Sequence, residues 1–347
     1  MTDSRNTNPI AYKRTLNRMG WSMLIFICLF FLFTVVSSIC QPNNLDFPRL
    51  DRTWTDVITA VCGMVSAVCY MAPFFLTGVF YYVLSRRTVT QRMHLGVRLP
   101  REFPLLILAG LAILLAGAII NAVFCEIIGY RMPADATAPV DYNNPAAVIL
   151  YMTVALAPAF AEEFLFRGVF YTNLRPYGRA QAMIISSLLF ALMHQNIAQL
   201  FYTFLAGLAM ALMYEITGSI WCSVFFHMFN NELSVLREVL YYGKFGEAAD
   251  PFLNILNGII FLLGSASLVI LIVYYGRQAS EKRKALAKGQ SLFEYSAVNQ
   301  ERCDTPVPSS TVFCSLVNPG MITFTAVTYA LMGLSWLLFV LADMGVA

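Results

Sequence analysis

The sequence predicts an all-α fold: a polytopic membrane helical bundle of about eight or nine transmembrane helices. Three observations predict it, namely composition, the length of the apolar runs and the placement of the charges. Of 347 residues, 58% are apolar and only 12% are charged, with a mean hydropathy of +0.64. A soluble domain carries about a quarter charged residues to cover its surface. An ordinary soluble enzyme, a disordered chain and a collagen-like chain are thereby excluded. The net charge of +3 gives no reason to expect nucleic acid as a partner; the expected partner is the lipid bilayer.

A membrane helix takes roughly 20 apolar residues, and nine such segments can be traced at 20–40, 56–84, 104–129, 146–171, 180–197, 198–217, 219–241, 252–276 and 321–345. The first run, Trp21 to Cys40, follows Lys13, Arg14 and Arg18. It is too long for a signal-peptide core and lacks a small-x-small cleavage site, so it is expected to stay as a helix. The second segment is followed by a loop holding Arg86, Arg87, Arg92, Arg98 and Arg101, and the fourth by a turn with Arg175 and Arg179. Between the sixth and seventh only Gly218 and Ser219 intervene. After the eighth comes the one long polar stretch, about 277–320, with Arg277, Lys282, Arg283, Lys284, Lys288 and Arg302. With Arg5 added to the N-terminal group, 17 of the 23 Lys and Arg fall on one side of nine alternating spans. Cationic residues mark the cytoplasmic side, so the N-terminus is expected in the cytoplasm and the C-terminus outside.

Three regions follow: N-terminal transmembrane helices and a cytoplasmic loop at 1–140, a core at 141–245, and C-terminal helices with a polar cytoplasmic linker at 246–347. Cys28, Cys40, Cys62, Cys69, Cys125 and Cys222 sit in or at the ends of apolar runs, and no pair has C-x-x-C spacing. They read as small apolar residues.

Ionisable groups inside spans are costly and therefore mark function. The fourth segment holds Glu162, Glu163 and Arg167 behind Pro158. Glu163 and Arg167 are four apart, acid first, the favourable order for an ion pair on one helix face. Glu162 points about 100° away from Glu163 and lacks that partner, so it is left for chemistry. Pro158 frees the carbonyl of Val154 and is expected to bend the helix just before the pair. Only three histidines occur. His94 lies in the Arg-rich loop, whereas His194 and His227 lie in membrane segments. Phe190 precedes His194 by one turn, and Asn231 follows His227 by one turn. Glu126 and Glu215 read as interfacial caps, and Glu232 as a candidate wall of an outer cavity.

A carboxylate in a dry pocket suits general-base work near neutral pH. Glu162 could deprotonate a water that His194 also holds, while His227 and the Asn231 amide donate to an oxyanion. Glu162, His194 and His227 could equally bind zinc and leave an open position for water. Both schemes end in water attacking an amide.

Glu162-Glu163-x-x-x-Arg167, Phe190-x-x-x-His194 and His227-x-x-x-Asn231 resemble the three ordered motifs of the CPBP family. That family comprises the CAAX prenyl proteases and bacteriocin-processing enzymes, also called the Abi or type II CAAX proteases. The resemblance covers about residues 145–235. It implies an intramembrane protease core in which Glu162 activates water, His194 assists, His227 and Asn231 hold the oxyanion, and Glu163 with Arg167 supports them. It implies a peptide or lipidated-protein substrate. No cofactor is favoured, because Asn231 is a good oxyanion donor and a poor zinc ligand; zinc on Glu162, His194 and His227 is the alternative. Rival functions are a proton-coupled transporter, which predicts broken helices and an internal repeat, and a non-catalytic scaffold or immunity protein of the same fold. The setting expected is a bacterial cytoplasmic membrane. At 1.5 Å per residue, Glu162 and His227 lie roughly 12–14 Å from the cytoplasmic face and His194 about 20 Å from it, which predicts a site in the inner half opening to the cytoplasm.

Overall fold

The computed structural model describes residues 9–40, 52–85, 96–97, 99–130, 151, 156–287 and 315–343. Most of the Arg86–Arg101 loop, His94, Val154 and the greater part of the 277–320 stretch lie outside the described residues, and so does the bend expected at Val154.

Among the described residues every regular element is helical, as expected for an all-α bundle. The elements are α1 (Pro9–Ile39), α2 (Arg52–Ser85), α3 (Phe103–Ile127) and α4 (156–174). They continue with α5 (Arg179–Met193), α6 (Leu200–Thr217), α7 (Ile220–Leu240), α8 (Asp250–Ala287) and α9 (Pro319–Asp343). The order of segments matches the apolar runs. α8 stays helical through Ala287, so the first part of the polar stretch, 277–287, continues that helix.

Among the described residues, five helical stretches are long and apolar enough to cross a membrane: Pro9–Ile39, Ala60–Ser85, Phe103–Ile127, Ile197–Thr217 and Gly246–Glu281. α5 has only 15 residues, and α4 and α7 carry the charged and amide groups of the centre, which lower their apolarity. Large apolar side chains such as Ile255, Leu262, Ile272 and Phe31 face outward, the arrangement a lipid solvent favours over a watery one. The chain is an integral membrane protein.

Packing places α4 at the centre, against α2, α5, α6 and α7. α1 lies between α2 and α9, and α3 between α6 and α8. Lipid supplies no hydrophobic drive between helices, so close approach depends on small residues. A Cβ on Gly20 would sit 2.3 Å from the Gly320 backbone of α9, and one on Gly207 of α6 would meet Ser187 of α5 at 2.8 Å. The joint between α6 and α7 is a true break: Gly218 takes a left-handed φ of 64°, and its N–H donates to the Tyr214 carbonyl at 2.9 Å. That is a glycine stop for a helix.

Candidate active site

α4 departs from α-helical winding directly after the paired acids. Residues Phe164–Tyr171 form wider π turns, closed by the Thr172 hydroxyl donating to the Arg167 carbonyl at 2.9 Å. Such widenings occur often at functional sites. Glu162, Glu163 and Arg167 are all buried, at 2%, 0% and 0% exposure, so each needs a partner from the protein.

Arg167 Nη1 donates to Glu163 Oε1 at 2.7 Å, the ion pair read from the sequence. Its Nη2 donates to the carbonyl of Gly207 at 2.9 Å, and its guanidinium carbon lies 4.7 Å from the centre of the Phe190 ring. The tight α5–α6 crossing at Gly207 thus brings a carbonyl within reach of the buried cation. Glu163 Oε1 also lies 3.2 Å from His227 Nδ1. That contact orients the imidazole so that its other nitrogen, Nε2, faces Glu162 Oε2 at 3.8 Å.

Glu162 has a partner that the sequence did not suggest. Tyr70 of α2 donates its hydroxyl to Glu162 Oε1 at 2.6 Å. Oε2 is buried and has no hydrogen-bond partner. One oxygen of this carboxylate is therefore held while the other remains an available acceptor toward His227. Tyr70 lies 92 residues away in sequence, and no spacing rule links it to the motif.

His194 requires a correction. It was expected inside a span running to residue 197, but α5 ends at Met193 and His194 caps it. The chain then turns through Gln195, whose φ is 50°, and Asn196, whose side chain accepts from the Ala198 N–H at 2.9 Å. Asn121 of α3 holds this turn from outside, donating to the Ala198 carbonyl and accepting from the Phe201 N–H at 3.3 Å. His194 Nδ1 lies 2.9 Å from the Phe190 carbonyl. A carbonyl only accepts, so Nδ1 carries the hydrogen and Nε2 is the acceptor nitrogen.

The Phe190 ring stands between these groups. It meets His194 edge-on at 4.9 Å and His227 at 5.9 Å, besides carrying Arg167 on its face. A cavity of about 220 Å³ is lined by His194, His227, Asn231, Asn230, Tyr202 and Gln199, among others. The structure thus brings both histidines and Asn231 to one cavity, with the paired acids behind His227. Glu232 is not part of that lining. Glu215 accepts from Tyr171, from Arg175 at 2.8 Å and from Arg179 at 3.0 Å, in keeping with a place at the interface.

The cavity lies toward one end of the bundle. Its lining from α6 is the beginning of that helix and its lining from α5 is the end. It therefore faces the 194–199 turn, opposite the end of the bundle that holds Arg175, Arg179 and Glu215. Among the described residues no three His, Cys, Asp or Glu side chains are gathered as a metal-ligating group.

Fold and centre together define an all-α integral membrane protein with a buried acid–imidazole centre. Residues 144–233 match the family model described as type II CAAX prenyl endopeptidase Rce1-like; this part of the chain is of the CPBP type, a family of intramembrane proteases. The matched segment contains all three motifs. No curated protein matches the chain, and no solved structure does.

Proposed function

We propose that the protein is an intramembrane endopeptidase that hydrolyses a peptide bond of a membrane-associated or lipidated peptide or protein. Glu162 is the general base. Its Oε2 takes a proton from a water that His194 Nε2 also accepts from, and the hydroxide attacks the carbonyl carbon. The oxyanion is held by the Asn231 amide and by His227 Nε2 when that nitrogen carries a proton. The C–N bond then breaks, and the proton held by Glu162 passes to the leaving amine. Glu163, pinned by Arg167, orients His227.

The observation that carries this reading is the asymmetry of Glu162: a buried carboxylate with one oxygen held by Tyr70 at 2.6 Å and the other unpartnered, 3.8 Å from His227. The test is cleavage of a quenched fluorescent peptide library by the detergent-purified chain. Wild type is compared with Glu162→Ala and His227→Ala, with and without a strong chelator. Cleavage that persists in chelator and disappears in both variants is expected. Loss in chelator with recovery on adding zinc would instead make Glu162, His194 and His227 metal ligands. Proton-coupled uptake into vesicles with no peptide cleaved would favour the transporter. The N-terminus lies in the cytoplasm on this reading, an orientation supported by the one-sided distribution of Lys and Arg, and the membrane proposed is a bacterial cytoplasmic one.

A further inference from the structure

We infer that Arg237 holds a carboxylate of the substrate, in a subsite further along α7 from the oxyanion groups. This rests on the endopeptidase reading and adds a feature of the substrate: an acidic group near the cleaved bond, from the peptide's C-terminus or from an Asp or Glu side chain.

Two arginines fall inside the apolar segments, Arg167 in 146–171 and Arg237 in 219–241. A charge placed there is costly unless it is paired. Arg167 has Glu163 at 2.7 Å. Arg237 has only a neutral partner, Asn257 of α8, whose side-chain oxygen accepts from Nη2. Its Nε is buried without a hydrogen-bond partner, and no described carboxylate forms an ion pair with it. The neighbouring Glu238 accepts from Tyr151 at 2.6 Å, and Glu232 stands about 140° away around the helix. Arg237 is in the last turn of α7, where the helix dipole favours a cation. Its side chain nevertheless leans back toward the helix N-terminus, where it lines a small cavity of about 40 Å³.

His227, Asn231, Ser234 and Arg237 recur every three or four residues, which sets them on one face of α7. The cavity at the two histidines and this smaller one share Leu114, Tyr202, Asn230 and Ser234, so they adjoin along that face. The polar groups of the smaller cavity are mainly donors. Asn230 commits its side-chain oxygen to the Tyr202 hydroxyl at 2.8 Å, which leaves its amide hydrogens, and Arg237 adds its Nε–H. Donors beside an uncompensated cation suit an anionic acceptor. At about 10–15 Å³ for each water-sized group, the space takes about three heavy atoms, the size of a carboxylate. From Asn231 to Arg237 the helix rises about 9 Å, a distance that an extended peptide covers in about two or three residues.

The probe is a quenched octapeptide library in three pools: amidated and free of Asp and Glu; the same with a free C-terminus; and amidated with one Asp or Glu. The detergent-purified full chain should cleave one carboxylate pool about 10-fold faster than the carboxylate-free pool, the contribution of one hydrogen bond to a charged group. Which pool is preferred tells the C-terminal source from the side-chain one. In Arg237→Gln the preference should vanish, and in Arg237→Lys, which keeps the charge and loses the planar fork, it should fall between. The preference is a ratio within one preparation, so a partly unfolded variant still reports it. Equal cleavage of all pools by wild type, or a preference that survives in Arg237→Gln, would overturn the inference and leave the endopeptidase reading standing. If no pool is cleaved, the same pools, fluorescently labelled, are tested for binding by anisotropy on wild type and Arg237→Gln. A carboxylate preference lost in the variant then keeps the subsite while the endopeptidase reading fails; binding without preference, or no binding, overturns the inference.

Discussion

Tyr70 and Arg167 show how differently two buried polar contacts can act on one centre. The Tyr70 hydroxyl reaches Glu162 Oε1 at 2.6 Å, and a hydrogen bond to a charged group contributes about 1.5–3 kcal/mol. Its ring also walls the apolar cavity, so Tyr70→Phe keeps the packing and removes only the donor. We predict that kcat falls by about 10-fold with KM unchanged, measured by peptide hydrolysis; an equal rise in KM would instead indicate a damaged cavity. Arg167 is a structural matter. It is fully buried against Glu163 at 2.7 Å, and removing one partner of a buried pair costs about 3–5 kcal/mol. Arg167→Met should therefore lower Tm in a detergent melt and abolish cleavage, whereas Asn231→Ala should leave Tm unchanged. Loss of an oxyanion donor there should lower kcat by about 10²–10³.

At the scale of elements, the centre depends on how helices end and widen. α4 relaxes into π turns directly after Glu163, and α5 stops one residue before His194. The turn that follows has few bonds of its own and borrows Asn121 from α3. Asn121→Ala should thus loosen the turn and reduce cleavage, with hydrogen exchange rising at residues 195–201 more than in α7. An unchanged exchange pattern would count against this anchoring. Gly207 offers a second check on the α5–α6 crossing. A side chain there meets Ser187 at 2.8 Å, so Gly207→Val should shift the carbonyl that Arg167 uses and lower stability.

At the scale of the molecule, the matched segment 144–233 does not contain every contact to the centre. Tyr70 comes from α2 and Asn121 from α3, both outside it. A chain lacking α1 and α2 should insert in membranes yet fail to cleave peptides that the full chain cleaves. Full activity in the shortened chain would show that Tyr70 is dispensable.

Much of this architecture was legible in the residues. Apolar runs announce helices because the bilayer demands that every backbone group be paired within its own segment, and a four-residue spacing announced the Glu163–Arg167 pair because it follows from the pitch of one helix. The meeting of His194, His227 and Asn231 at one cavity, with Glu162 beside His227 but outside the lining, was readable only through ordered motifs, since their helices are joined by no local rule. Tyr70, Asn121 and the role of Phe190 were hidden for the same reason: contacts between distant helices are chosen by packing, which has no period along the chain. The end of α5 at Met193 was signalled by the polar run His194-Gln195-Asn196, which interrupts the apolar composition there. The sequence by itself determined the helices and the charge bias of their ends, both local sums over residues; only the packed bundle decided which side chains line the cavity and which aromatic rings fill the space between Arg167 and the Arg175–Glu215 pair, because contacts between helices distant in sequence are set by packing.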